Sequence, residues 1–204
     1  QRSKIANARF VANPGCYATG FNLLVHPLVK DGIISADYPV TCHAVSGYSG
    51  AGKKAIEQYE VEAGKTERMK SPRFYGLPLK HKHLPEMKKV SMLSDTPVFS
   101  PIITSVFQGM IVAVPLHKKI MDKKMTPVEL HGFMSEFYKG QTFIKVMPYD
   151  PEAKFEEGLI DVTACNNTNN VEIFVYGNDE KIILLARLDN LGKGASGAAV
   201  QNMN

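Results

Sequence analysis

The sequence predicts an α+β domain: a mixed or largely antiparallel sheet with helices packed on it. Three observations predict it. The stretch "CYATGFNLLVHPLVKDG" places apolar residues at 17, 21, 24, 25 and 28, the spacing of one helical face. Several other runs are short, apolar and rich in β-branched residues, among them "VEIFVYG" and "KIILLARL". Finally, strands and helices follow one another without the strict alternation of βαβ units.

Residues 10–12 read as a short strand, and Asn13-Pro14-Gly15 as a turn. The helix that begins at Cys16 contains Pro27, which should kink or shorten it, and Gly32 lies just past its end. "YPVTCHAVSG" reads as a strand ending at Gly47. A glycine-rich loop and a short helix over "KKAIEQYEVEAG", closed by Gly64, come next. Residues 65–90 are basic and interrupted by Pro72, Pro78 and Pro85, so they read as a long loop with a short helix after "LPEM". "VFSPIITSVFQGMIVAVPL" gives two strands around Gln108-Gly109. "TPVELHGFMSEFYKG" carries a full helix signature: Thr126 at the N-cap, Pro127 at the first position, Glu129 to complete a capping box, and Gly140 after the end. Residues 159–188 hold three strand runs, the last two joined as a hairpin through Asn178-Asp179, and "GKGASGAAVQNMN" reads as a final helix.

A length of 204 residues suffices for one domain with its own core. The net charge of +4 is mild, and no basic stripe interleaved with aromatics suggests nucleic acid. No apolar run approaches the ~18 residues of a membrane span, and the start shows no signal-peptide pattern. Three widely spaced cysteines, Cys16, Cys42 and Cys165, argue against a disulfide framework and for a reducing, cytoplasmic setting.

Two glycine motifs invite nucleotide readings. Gly47 to Lys53 spells G-x-x-x-x-G-K, but Lys54 stands where a P-loop needs Ser or Thr for magnesium. The amides of this loop are still expected to face an anion. Gly192, Gly194 and Gly197 spell G-x-G-x-x-G, but no second strand or ribose-binding acid follows in the residues that remain.

The chemistry concentrates at Cys16. It follows Pro14-Gly15 and opens a helix, where unpaired amides and the helix dipole favour a thiolate and can hold an oxyanion. A lowered thiol pKa is expected from that position. A proton carrier is available in "KHKHLPE", through His81 or His83. One cysteine and two histidines make an incomplete metal set, and the lysines around them suit an anionic substrate.

"NPGCYAT", "VSGYSGAGKKA", "HKHLPE" and "DNLGKGASGAAVQNMN", in this order, resemble the N-acetyl-γ-glutamyl-phosphate reductase family of arginine biosynthesis, related to aspartate-semialdehyde dehydrogenase. The match runs from residue 13 to the end. The resemblance implies the fold of the C-terminal domain of glyceraldehyde-3-phosphate and semialdehyde dehydrogenases. It implies Cys16 as nucleophile and His81 as acid–base group. It puts Ser46, Gly47, Tyr75, His83, Glu86 and Gln108 near the substrate, and Asn190, Gly194 and Ala195 beside the nicotinamide of NADP. The small-molecule substrate would be an acyl phosphate, reduced through a cysteine thioester, and the enzyme a homo-oligomer, dimer or tetramer, with no nucleic-acid or membrane partner. Two positions depart from the family pattern: Ala18 replaces a usual Pro, and Gln108 a usual Arg, which weakens an ion pair to a neutral hydrogen bond. Family members begin with a Rossmann domain that holds NADP, and the resemblance implies that this domain is not among residues 1–204. Residues 1–204 are therefore expected to be the catalytic and dimerisation domain, with 189–204 approaching the cofactor domain. Alternatives from the residues alone are a cysteine-dependent acyltransferase or hydrolase, an ATP-binding module, a purely structural dimerisation domain, or another acyl-phosphate reductase such as aspartate-semialdehyde dehydrogenase.

Overall fold

The computed structural model describes residues 2–62 and 66–204. Its elements are α1 (Arg2–Ala6), α2 (Cys16–Lys30), β1 (Thr41–Ser46), α3 (Lys53–Glu62), α4 (Glu67–Lys70), β2 (Arg73–Phe74), α5 (Leu84–Ser91), β3 (Val98–Ile103), β4 (Met110–His117), α6 (Pro127–Phe137), β5 (Ile144–Val146), β6 (Val171–Gly177), β7 (Lys181–Leu188) and α7 (Gly197–Met203). They build one seven-stranded sheet in the order β2-β3-β1-β4-β7-β6-β5. β1 pairs with β3, and β5 with β6, in parallel; the other neighbours are antiparallel. The sheet is mixed, as the sequence predicts.

The apolar stripe of α2 explains where the core lies. Phe21, Leu24, Val25 and Leu28 are fully buried, and the helix packs across β4 and β7 on Val112, Val114, Leu184, Ala186 and Leu188. Each such side chain contributes roughly 1.5–3 kcal/mol by leaving water. Pro27 does not shorten the helix, which runs on to Lys30. Proline removes the amide that would bond the carbonyl four residues back. Here that carbonyl, of Leu23, accepts the Tyr138 hydroxyl at 2.6 Å instead. Helix α2 thereby keeps its length, and its first residue, Cys16, stays aimed at the end of the sheet.

The capping box of α6 forms as the sequence predicts: Thr126 Oγ1 accepts the Glu129 amide at 3.3 Å, and Glu129 Oε2 accepts the Thr126 amide at 2.7 Å. Thr126→Ala is expected to cost about 1 kcal/mol, measured by urea denaturation; no change would show that α6 does not depend on its cap.

Four expectations need correction. Residues 10–12 form no strand, because nothing among the described residues pairs with them, and Phe10 is exposed. The first of the three runs in 159–188 is a turn region, while the third strand of that half is β5, whose three residues are too few to show a period. Residues 66–83 carry α4 and the edge strand β2, and α5 starts at Leu84, inside the "LPEM" stretch. The loop after β1 offers no open cradle at the amides of Gly47, Tyr48, Ser49 and Gly52. These donate to the carbonyls of Gly109, Val106, Phe107 and Ser49. The Gly64 helix stop lies outside the described residues.

Candidate active site

Cys16 is the first residue of α2, and Gly15, at the N-cap, has no side chain to serve as a cap. Glu86 of α5 reaches this turn from elsewhere in the chain, and its Oε2 accepts the Gly15 amide at 3.1 Å. The bond ties the turn before Cys16 to the helix that follows the two histidines. A methyl group on Gly15 would lie 2.3 Å from His83 Nε2, so the imidazole of His83 rests directly on the residue before the thiol. On the other side, a methyl group on Gly194 would lie 2.6 Å from Cys16 Cβ. The middle glycine of G-x-G-x-x-G is thus a close approach of backbone to Cys16. Asn13 Nδ2 completes this wall by donating to the Ala195 carbonyl at 2.8 Å.

Tyr17 is a hub that the sequence motifs did not single out. Its ring lies 5.6 Å from that of His81, 5.8 Å from His83 and 5.1 Å from Phe99. Its hydroxyl accepts from the Tyr75 hydroxyl at 2.7 Å. The signal was available, since Tyr17 directly follows Cys16 in "NPGCY".

Burial decides the electrostatics. It pushes the Cys16 thiol above its ordinary value, and Glu86 adds to this, outweighing the Tyr17 and Cys16 amides and Lys82, which act the other way. The lowered thiol pKa expected from the helix start is therefore corrected: desolvation of a mostly buried sulfur wins. Burial, then Lys82, lowers His81; burial, then His81 and Lys82, lowers His83 to about 4. Both shifts favour the neutral imidazole. Burial raises Glu86 while the Gly15 amide pulls it down. Because the thiolate is the reactive form, alkylation of Cys16 is expected to keep accelerating as pH rises through 9, with no plateau near neutrality. A plateau at pH 7 in an iodoacetamide rate profile would contradict this.

The structure brings Cys16, Tyr75, His81, His83, Glu86, Gly194 and Ala195 together around the start of α2. Ser46 is buried at the end of β1 and donates to the Gly47 carbonyl at 3.1 Å. Gly47, Gln108 and Asn190 belong to a neighbouring knot of loops. Gly47 packs against the Phe107 carbonyl and the Gln108 backbone. Gln108 Nε2 donates to Asp189 Oδ2 at 3.1 Å and to Asn167 Oδ1 at 3.0 Å, so its amide nitrogen is engaged inside the protein. Asn190 is buried; its Oδ1 accepts the Gly109 amide at 2.8 Å and its Nδ2 donates to Ser49 Oγ at 3.0 Å. In this arrangement Gln108 and Asn190 tie together the loops that carry them. Each side chain pins loops that border the site.

The start of α2 thus gathers a mostly buried thiol, two imidazoles and a carboxylate that accepts the preceding amide. The chain belongs to the semialdehyde dehydrogenase, dimerisation domain family, whose model matches residues 16–190. Along its whole length it is 46% identical to N-acetyl-gamma-glutamyl-phosphate reductase 2 of Nostoc sp. and 45% identical to N-acetyl-gamma-glutamyl-phosphate reductase of Brucella ovis. It spans 65% and 66% of those proteins. Among solved structures it resembles aspartate semialdehyde dehydrogenase II from Vibrio cholerae, with a TM-score of 0.68 at 19% identity over 99% of this chain and 63% of the other. The aspartate semialdehyde dehydrogenase from Francisella tularensis gives a TM-score of 0.68 at 15% identity over 93% of this chain and 63% of the other. At such identities the likeness shows the fold alone.

Proposed function

We propose that residues 1–204 are the catalytic and oligomerisation part of an NADP-dependent reductase. It would convert N-acetyl-γ-glutamyl phosphate to the corresponding semialdehyde, the reaction of arginine biosynthesis. The observation that carries this reading is the setting of Cys16: a thiol at a helix start, walled by Gly15 and Gly194, beneath the ring cluster of Tyr17, His81 and His83. The 45–46% identity to reductases of that name supports the substrate.

In this mechanism Cys16 attacks the acyl carbon, phosphate leaves and a thioester forms. The amides at the start of α2 face the developing oxyanion. His81 attends the reacting oxygen, while Tyr75, His83 and Glu86 border the acyl chain. The reductase relatives support a nicotinamide cofactor. A cavity of about 780 Å³, lined by Phe10, Val11, Asn13, Pro14, Lys193 and Ala198, opens beside the turn that leads into Cys16. Gly194, packed on Cys16, and Ala195, bonded to Asn13, would border the group, which would supply the hydride. The segment 189–204 would then face the cofactor domain.

The sheet face opposite α2 carries exposed His43, Val98 and Ile183. It supports association of two or more copies through that face, in keeping with the family's description as a dimerisation domain. Three free cysteines support a cytoplasmic location. No described helix is long and apolar enough to cross a membrane.

Limiting iodoacetamide should label Cys16 before Cys42 and Cys165. The latter two are buried, and burial raises Cys165 to about 11. A full-length protein carrying this domain should reduce the acyl phosphate with NADPH and lose turnover with Cys16→Ser. Equal labelling of all three thiols, or full turnover by Cys16→Ser, would refute the assignment. Turnover of simple thioesters without NADPH would point to a cysteine hydrolase.

A further inference from the structure

Two cations are buried among the described residues, Arg187 and Lys193, and their surroundings differ sharply. Arg187 forms ion pairs with Glu156 and Glu172. Lys193, 7% exposed, takes part in none of the ion pairs of the described residues. Its Nζ donates to Gln201 Oε1 at 2.6 Å and stands 5.2 Å from the centre of the Phe143 ring. An ammonium has three N–H donors, and Gln201 takes one. Neither an amide oxygen nor a ring face supplies the full negative charge that a buried lysine ordinarily meets.

The backbone holds this cation inside. Lys193 lies in one wide π-helical turn, Gly192–Ser196, with a glycine on either side. A methyl group on Gly192 would lie 2.6 Å from the Thr168 carbonyl oxygen, and one on Gly194 2.6 Å from Cys16 Cβ. The chain is therefore packed tightly on both sides of the lysine. Gln201 is fixed as well, since its Oε1 also accepts Asn169 Nδ2 at 3.0 Å. Lysines at a surface extend to bring the charged head into water; this one stays buried.

The ammonium faces a cavity. About 550 Å³ in volume, it is lined by residues that include Ile5, Phe143, Ile144, Lys193, Gln201 and Asn202, and no Asp or Glu lines it. That is the size of a small-molecule site. Lys193 also borders the larger cavity beside the turn into Cys16, whose other charged residues are Lys4 and Glu86. There the Glu86 carboxylate already accepts the Gly15 amide. Burial holds the Lys193 ammonium below its ordinary pKa, and an anion placed beside it would offset that cost.

We propose that Lys193 anchors a binding site for a small organic anion, whose carboxylate or phosphate group takes the remaining donors of Nζ while its apolar part lies against Phe143 and Ile144. The reading of Cys16 does not enter this inference.

Butyrate, butyl phosphate and the uncharged butyramide test it on the chain as it stands. In protein labelled with ¹³C-lysine, the ε-methylene signal absent from Lys193→Met identifies Lys193. Butyrate or butyl phosphate should move that signal and saturate on the order of millimolar, as ligands of this size do. Butyramide should leave it in place. The tighter of the two anions tells whether the site is built for a carboxylate or for a phosphate. By calorimetry, Lys193→Met should bind that anion at least about tenfold more weakly, the worth of one charge-assisted hydrogen bond. Lys193→Arg removes the same signal but keeps a cation, so it identifies the signal even if the Met variant fails to fold, and it should retain part of the binding. A Lys193 signal that neither anion moves well above millimolar concentration would overturn the proposal. So would butyramide binding as tightly as the anions, full anion binding by Lys193→Met, or equal losses in the Met and Arg variants.

Discussion

Replacing Arg187 with leucine is expected to destabilise the fold by about 3–5 kcal/mol, the usual penalty for breaking a buried ion pair by removing one partner. Arg187 is 2% exposed, on β7. Its Nη1 donates to both carboxylate oxygens of Glu156, at 2.7 and 2.8 Å, and to the Asp161 carbonyl at 2.9 Å. Its Nη2 and Nε both donate to Glu172 Oε2, at 2.6 and 2.9 Å. The rings of Phe155 and Phe174 stand over the guanidinium at 5.9 and 5.1 Å. The fork does more than pair charges. Glu156 and Glu157 hold φ of 50° and 57°, a left-handed backbone that costs a non-glycine residue energy and persists only where surroundings impose it. Arg187 and the Asp161 amide, which Glu156 Oε2 accepts at 2.7 Å, together hold the Glu156 side chain there. The Glu156 side chain is 26% exposed, which places the loss nearer the lower end of the range. Urea denaturation of the whole chain measures it. Arg187→Lys should recover only part, because one ammonium cannot reproduce a planar fork that serves two carboxylates at once. A loss below about 1 kcal/mol would mean the cluster behaves like a surface ion pair.

Glu156, Glu172 and Arg187 lie far apart in the chain, and nothing in their spacing announces the cluster. The same limit explains which parts of the site were legible. Cys16 was legible because Pro-Gly and a helical period flank it locally, and the Thr126 cap because all its parts lie within one turn. Tyr17 was not, because its partners Tyr75, His81 and Phe99 arrive from three later segments. The hydrogen bonds that Gln108 and Asn190 make inside the protein are not legible in the sequence either. Which way an amide turns depends on Asp189, Asn167, Ser49 and Gly109, which only the fold brings near. The thiol pKa failed for a related reason. A helix start is visible in sequence, while the depth of the sulfur, which outweighs it, is a tertiary property. Strand β5 escaped because Ile144 and Val146 flank a lysine in only three residues, and the parallel pairing with β6 that makes it a strand is non-local.

Gly194→Ala should damage both the fold and the thiol, and a companion change at Gly15 shows why. An alanine methyl at 194 would lie 2.6 Å from Cys16 Cβ, 3.2 Å from Cys16 Cα and 3.2 Å from the Asp189 carbonyl oxygen. None of these can swing aside. Cys16 is anchored as the first residue of α2, and the Gly194 amide is bonded to that same Asp189 carbonyl at 2.8 Å. The clash must be relieved by moving backbone, which typically costs about 1–3 kcal/mol. At Gly15 the methyl would meet the imidazole of His83, at 2.3 Å from Nε2. That obstacle is a side chain, and it can rotate out of the way. Gly15→Ala should therefore cost less stability than Gly194→Ala, while displacing His83 from the turn beside the thiol. Thermal unfolding and the iodoacetamide rate at Cys16, measured for both variants, separate the two mechanisms. Gly194→Ala should lower the unfolding temperature more and change the rate because the sulfur itself has moved. Gly15→Ala should change the rate while the fold stays close to that of the parent. If Gly194→Ala unfolds like the parent and its thiol reacts at the parental rate, the backbone there is free to retreat, and the wall behind Cys16 is not rigid.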